Sequence, residues 1–254
     1  MALNVKEKLR CHETTFGTWQ MIGNTSISEI LCGCNFEWVV IDMEHTGIDV
    51  DDALELIRVI DLSGKVPAVR VSVNDFTLIK RVLDAGAKII IVPMVMNKQD
   101  AEIAVSAVYY PPRGTRGVGL ARAQGYGFSF ENYKDSFENE AVVVAQIEHI
   151  EAIRNLEDIE SVDGIDATII GPYDLSGSLG HPGDFELIDF KEALEQYEMI
   201  SRKTGKPMGY HMVQPTKENV GELIDKGYKF IALGFDTYFI GKQCRDMLQE
   251  VLGE

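Results

Sequence analysis

Eight short apolar runs, rich in Val and Ile, recur along the chain, and each is followed by a segment of a different period. They are GTWQMIG (17–23), WVVIDMEH (38–45), VPAVRVS (66–72), AKIIIVPM (87–94), AVVVAQIEH (141–149), ATIIGPYD (167–174), PMGYHM (207–212) and FIALGFD (230–236). Most are nearly continuous rather than alternating, as strands covered on both faces require. Between them the apolar positions fall at helical spacing. In 50–60, Val50, Ala53, Leu54, Ile57 and Ile60 share one face. Asn74 is the expected N-cap of a helix carrying Leu78, Ile79, Val82 and Leu83 that stops at Gly86. Ser26 and Glu29 have capping-box spacing. Further helices are expected near 99–110, 150–160, 189–204, 216–226 and 240–252. Eight strands alternating with helices predict an α/β fold, a closed (β/α)8 TIM barrel filling residues 1–254 as a single domain. An open doubly wound sheet is the alternative. It would carry a glycine fingerprint after the first strand, and GNTSIS (23–28) has none.

Residues 111–140 break the rhythm. They lead from a helix to the fifth strand yet are far longer than most such connections. A helix-to-strand loop belongs at the bottom of a barrel. If its arginines and aromatics serve function, the segment must wrap upward or reach a neighbouring subunit; a surface excursion is the other reading.

Charge narrows the choice of partners. With 24 basic and 40 acidic residues the net charge is −16, so nucleic acid and anionic membranes should be repelled. Anionic small substrates would need arginines that reverse the field locally. Cys11, Cys32, Cys34 and Cys244 show no paired metal-site spacing and read as thiols of a reducing cytosol. The N-terminus lacks the apolar core of a signal peptide, and no apolar run reaches membrane-span length, so a cytoplasmic protein is expected.

In a (β/α)8 barrel, chemistry sits where strands end. Strand two ends in Asp42, Glu44 and His45, strand three near Arg70, and strand five in Gln146, Glu148 and His149. Strand six ends in Gly171, Pro172, Tyr173 and Asp174, strand seven carries His211, and strand eight ends in Asp236. Glu148 and Asp174, ending adjacent strands, could converge on a hard or borderline divalent ion such as Mg²⁺, Mn²⁺ or Co²⁺; salt bridges or helix caps are the plain alternative. Arg70 is the lone arginine within a strand run. Its fork suits a carboxylate, or it neutralises Asp42 or Glu44. His45 is positioned to act as a base or to serve as a satisfied structural histidine. An imine-forming aldolase would need a lysine projecting into the upper barrel. Lys65, Lys88, Lys206 and Lys229 precede strands, and Lys98 lies beyond the fourth.

At these residues the sequence resembles the HpcH/HpaI family of metal-dependent 2-keto-3-deoxy acid aldolases. The resemblance is carried by FEWVVIDMEHTG (36–47), PAVRV (67–71), IIIVPMV (89–95), YYPPRGTRGVG (109–119), ARAQGYG (121–127), QIEHIEAIRNL (146–156), GPYDLSGSLG (171–180) and ALGFDT (232–237). It implies a divalent metal on Glu148 and Asp174, with His45 as base through a metal-bound water and Asp42 or Asp84 orienting it. Arg70 would stabilise an enolate oxygen, Gln146 would contact the keto acid, and the backbone from Gly171 through Tyr173 and Asp174 would receive its carboxylate. The fold implied is of the phosphoenolpyruvate/pyruvate type. The assembly implied is a hexamer, a trimer of dimers, with C-terminal helices exchanged between neighbours. The activity implied is cleavage of a 4-hydroxy-2-keto acid to pyruvate and an aldehyde, with aromatic catabolism as one setting. Oxaloacetate decarboxylation on the same enolate, and a non-catalytic barrel binding metal and keto acid, are the alternatives. The chain departs from its relatives at GYHMVQP (209–215), where they are more apolar, and the Tyr173 position varies among them. Those departures bear on the aldehyde half of the substrate.

Overall fold

A computed structural model describes residues 4–253. In chain order the elements are α1 (Val5–Arg10), β1 (Thr15–Gln20), α2 (Thr25–Cys32), β2 (Trp38–Asp42), α3 (Val50–Leu62), β3 (Val66–Arg70), α4 (Phe76–Ala85), β4 (Ile89–Val92), α5 (Lys98–Val108) and α6 (Phe130–Glu140). There follow β5 (Val142–Ile147), α7 (Ile150–Arg154), α8 (Leu156–Glu160), β6 (Ala167–Ile170), α9 (Pro172–Ser178), α10 (Ile188–Thr204), β7 (Met208–Met212), α11 (Lys217–Lys226), β8 (Phe230–Phe235) and α12 (Asp236–Leu252). The eight strands are all parallel and close in sequence order, with β1 paired to both β2 and β8.

The period of two along each strand divides the core into two layers. Val39, Ile41, Val69, Ile90, Val143, Ile147 and Ile231 point outward and pack under the helices. Trp38, Val40, Ala68, Ile89, Ile91, Val144, Ile169 and Phe230 point inward and fill the barrel, with Val5 and Leu9 of α1 joining them. Trp38 stacks on Phe230 at 4.1 Å, and the space for its ring comes from Gly17, where a Cβ would lie 2.0 Å from the indole. The continuous apolar runs follow from this: every strand residue meets either the barrel interior or a helix.

Several local expectations move by a residue or two. The cap of α4 is Asp75, whose carboxylate accepts from the Leu78 amide at 2.8 Å, while Asn74 donates its side-chain amide to Asp100 O at 2.9 Å. Asn and Asp cap equally well, and tertiary contact decided between them. α2 is capped by Asn24 rather than by a Ser26–Glu29 box. The single helix expected over 150–160 is two, interrupted at Asn155, whose side-chain amide donates to Met96 O. GPYD (171–174) is not strand; it opens α9.

Within the chain, the long segment 111–140 is tied by its arginines to the C-terminal ends of α3 and α4, at the bottom of the barrel. Arg116 donates to Asp84 at 2.6 Å and to the Tyr133 hydroxyl at 3.0 Å, and Arg122 donates to Asp61 at 2.6 Å. α6 within it escapes the hydrophobic pattern because Phe137 is its one buried residue. Among the described residues no helix is long and apolar enough to cross a membrane.

Candidate active site

The inward parity that fills the barrel with Val and Ile continues to the strand ends, where it delivers polar groups to the mouth. Val40 is followed inward by Asp42, Ala68 by Arg70, and Val144 by Gln146 and Glu148. β2 and β3 pair Asp42 with Arg70 in register. Arg70 donates Nε to Asp42 Oδ1 at 2.9 Å and Nη2 to Oδ2 at 2.7 Å, with Asp42 fully buried. The Arg70 guanidinium also lies 4.3 Å over the Trp19 ring. Nη1 makes no hydrogen bond among the described residues, so a flat, fixed fork still presents one edge to the cavity. Asp42 also accepts the amides of Glu44 at 3.0 Å and His45 at 3.4 Å, which pins the turn after β2.

Glu148 is the costliest group here. Its side chain is buried, and burial first, then the nearby Glu44 and Asp174 carboxylates, push its carboxyl up to about 7 against the Met94 amide and Gln146. The Met94 amide donates to Glu148 Oε1 at 2.6 Å from a backbone with φ +51°, a strained conformation for methionine that aims the N–H into the mouth. Gln146 Nε2 donates to Glu148 Oε2. Gly171 closes the other side: a Cβ there would meet Glu148 Oε2 at 3.1 Å and Gln146 Nε2 at 3.2 Å. Burial likewise raises Glu44.

Gln146 Oε1 is buried with no hydrogen-bond partner among the described residues, and Glu44 Oε2, likewise without one, is ion-paired with Arg70 Nε at 3.2 Å. An orphaned oxygen beside an acid held above its usual range is what a hard cation would satisfy. The donor set is small, since among the described residues no group of three or more His, Cys, Asp or Glu is arranged as a full cage. Two carboxylates fit an ion that keeps waters or substrate oxygens in its shell, such as Mg²⁺ or Mn²⁺.

A cavity of about 430 Å³ opens over these groups and is lined by His45, Arg70, Gln146, Tyr173, Asp174 and His211, among others. No lysine lines it. The His45 side chain is half-exposed, and its Nε2 is 3.7 Å from Glu44 Oε2. Asp174 lies in the first turn of α9 and is exposed. Asp84 is not brought here within the chain. It sits in the last turn of α4, the end leading to the start of β4, and is engaged by Arg116 and Gln124. Asp42 reaches the His45 backbone and not its ring. His149 caps α7 through Nδ1, and Asp236 accepts the amides of Met21 and Ile22. The sequence pattern did not single out Trp19 or Met94. The inward parity of Trp19 was available as a signal; the strained amide of Met94 was not.

A profile of the HpcH/HpaI aldolase/citrate lyase family matches residues 15–242. The chain is 36% identical over 246 residues to a 2-dehydro-3,6-dideoxy-6-sulfogluconate aldolase of Pseudomonas putida, covering 96% of this chain and 95% of that protein. It is 35% identical to a 4-hydroxy-2-oxo-heptane-1,7-dioate aldolase of Klebsiella pneumoniae, covering 93% and 89%. Among solved structures it superposes on an HpcH/HpaI aldolase/citrate lyase family protein of Burkholderia cenocepacia with a TM-score of 0.92 and 30% identity, over 97% of this chain and 98% of that one.

Proposed function

The chain belongs to the HpcH/HpaI aldolase/citrate lyase family, and from that premise we propose that it is a divalent-metal-dependent carbon–carbon lyase cleaving a 4-hydroxy-2-keto acid to pyruvate and an aldehyde. The observation that carries this is the convergence, at one barrel mouth, of a buried acid held near neutrality, a fixed arginine fork and a half-exposed histidine. Glu148 and Asp174 are the residues that would hold the cation, which when bound supplies a Lewis acid for the keto and carboxylate oxygens.

The protein's own groups account for the rest. The free edge of Arg70 faces the developing enolate oxygen, a placement worth roughly 3–4 kcal/mol for a donor of this kind. Asp42 fixes that fork from behind. His45 accepts the proton of the 4-hydroxyl as the C3–C4 bond breaks, a step to which a positioned base contributes about 10²–10⁴-fold. Gln146 is held by Glu148 to face the keto acid. Gly171 lets Glu148 and Gln146 approach the start of α9 closely, and the first-turn amides of Tyr173 and Asp174, which a helix leaves unpaired, receive the substrate carboxylate.

We propose further that the protein works as a homo-oligomer, a hexamer built as a trimer of dimers with α12 exchanged. Ile240, Met247, Leu248, Val251 and Leu252 of α12 are all exposed, a stripe of apolar surface on a helix with one buried residue. Light scattering on the purified protein tests it; a monomer refutes it.

The test of function is turnover of a 4-hydroxy-2-keto acid, with pyruvate measured before and after exhaustive chelation and after return of Mg²⁺, Mn²⁺ or Co²⁺. Activity that survives chelation, or borohydride trapping of pyruvate on the protein, refutes the metal route. The two relatives' names leave the aldehyde half open. The sulfogluconate derivative retains a hydroxyl at carbon 5, and the heptanedioate has none there.

A further inference from the structure

Beside the 430 Å³ cavity lies a second, of about 540 Å³, and the two share Pro172, Tyr173, His211 and Val213 as walls. A substrate held by its keto-acid end at Arg70 and Glu148 runs its remaining carbons past this partition. His211 is the side chain of the partition whose ring is held both by packing on two sides and by a hydrogen bond of its own. Its ring is clamped, stacked on Trp19 at 4.9 Å and 23° and set edge-on to Phe235 at 6.1 Å. Its Nε2 lies 3.2 Å from Gly234 O. A carbonyl oxygen can only accept, so Nε2 carries the proton and Nδ1 carries the lone pair. Nδ1 has no partner among the described residues, yet it is not among the buried unpartnered atoms, so it is not sealed off from the two cavities that His211 lines.

We propose that His211 selects the aldehyde half of the substrate by accepting a hydrogen bond at Nδ1 from a hydroxyl on carbon 5. The substrate class is then the 4,5-dihydroxy-2-keto acids, cleaved to pyruvate and a 2-hydroxyaldehyde. The inference rests on the aldolase reading above and deepens it. Burial, the largest influence, holds His211 down to about 4, with Arg70 acting in the same direction, so the ring is neutral throughout the working range and the acceptor is permanent. An apolar residue at this position would offer the hydroxyl nothing and would leave it desolvated against the wall. Of the other side chains of the partition, Pro172 and Val213 are apolar, and the Tyr173 hydroxyl sits on a half-exposed ring edge-on to Phe185 at 5.0 Å, with no hydrogen bond of its own among the described residues to hold it.

The experiment is the reverse reaction, pyruvate added to 2-hydroxypropanal or to propanal, with kcat/KM referred to the free aldehyde. The two aldehydes have equal length, and both adducts carry the 4-hydroxyl, so the ratio isolates carbon 5. The wild type should favour 2-hydroxypropanal about tenfold, which corresponds to about 1.4 kcal/mol or one ordinary hydrogen bond. In His211→Leu the ratio should fall to about one, and in His211→Gln, which keeps an acceptor, part of it should return. A merely structural role for His211 would lower both rates together and leave the ratio intact, which overturns the inference. A wild-type ratio near one overturns it without any variant. Addition of both aldehydes at equal rates therefore sinks this inference alone, and addition of neither sinks the aldolase reading with it.

Discussion

Replacing Asp42 separates what holds the site together from what performs its chemistry. In Asp42→Leu the Arg70 guanidinium loses the two hydrogen bonds, at 2.9 and 2.7 Å, that it donates to a fully buried carboxylate. Glu44 remains 3.2 Å from Nε but is not aligned to replace the fork. Removing one partner of a buried ion pair costs about 3–5 kcal/mol because the other charge is left uncompensated. The surviving Glu44 argues for the lower end. At roughly 2–4 °C per kcal/mol for a chain of this size, Tm should drop by about 10 °C. The two amides of the turn carrying His45, those of Glu44 and His45, also lose their shared acceptor, Asp42 Oδ1. Activity should therefore fall further than a fork displacement alone would cause, by at least about 10²-fold in kcat/KM. The second arm is Asp42→Leu/Arg70→Met, which removes the stranded charge. Most of the lost Tm should return, because apolar replacement of a whole buried pair is often neutral, while activity stays lost. Calorimetry gives Tm, and pyruvate release coupled to lactate dehydrogenase gives the rate. If the single variant melts within about 2 °C of wild type, or the double variant melts no higher than the single, the account of the Arg70–Asp42 pair is wrong.

Gly171→Ala should cost at least about 10²-fold in kcat/KM with little change in Tm, since the new Cβ presses on Glu148 and Gln146 at 3.1–3.2 Å while the backbone, at φ −97°, suits alanine. A fully active Gly171→Ala would show that the close approach is not needed for turnover. Gly17→Ala should instead fail on stability, by about 3 kcal/mol or more, because its Cβ falls 2.0 Å from the Trp38 ring deep in the barrel; the soluble yield and Tm of the variant decide this. Glu160 is buried beside the hydroxyls of Thr168, Ser201 and Thr204, and burial raises its carboxyl above the usual range. A raised carboxyl loses stability as pH climbs from its unfolded value toward its folded one, so Glu160→Gln should gain on wild type at pH 8, with the gap closing toward pH 5. A gap that widens on acidification would contradict the sign.

The order of elements was legible in the residues themselves, and the class of chemistry in the family resemblance that their motifs carry. Runs such as IIIV (89–92) and VVVAQI (142–147) carry both the continuous apolarity of a buried parallel strand and the parity that turns Gln146 and Glu148 inward. The sequence left Arg70 free to meet Asp42, Glu44 or a substrate carboxylate; the register of β2 on β3 sets it opposite Asp42. The opening at the C-terminal mouth, and the exclusion of lysine from it, followed from sequence once the fold was read.

What sequence could not decide is anything set by distance across the barrel or by a loop's path. Asp42 and Asp84 are both acids near strand or helix ends, yet the first faces the mouth and the second sits at the opposite end with Arg116, because a helix runs back down the barrel before the next strand begins. α6 has almost no apolar stripe and is held by Arg116 at Tyr133 and, from the far end of the sequence, by Asn4 at Asn139 O. The positive φ of Met94 has no signature in a methionine; it exists because Glu148, on the neighbouring strand, receives that amide. In the sequence His211 is one of five histidines, carried by strand seven with nothing to set its ring apart. Its significance comes from closure of the barrel, which stacks it on Trp19 of β1 and puts Gly234 O of β8 at its Nε2. Periodicity determines which face a side chain takes, but only the closed ring determines which residues from distant strands stand opposite it, because that depends on the stagger of all eight strands together.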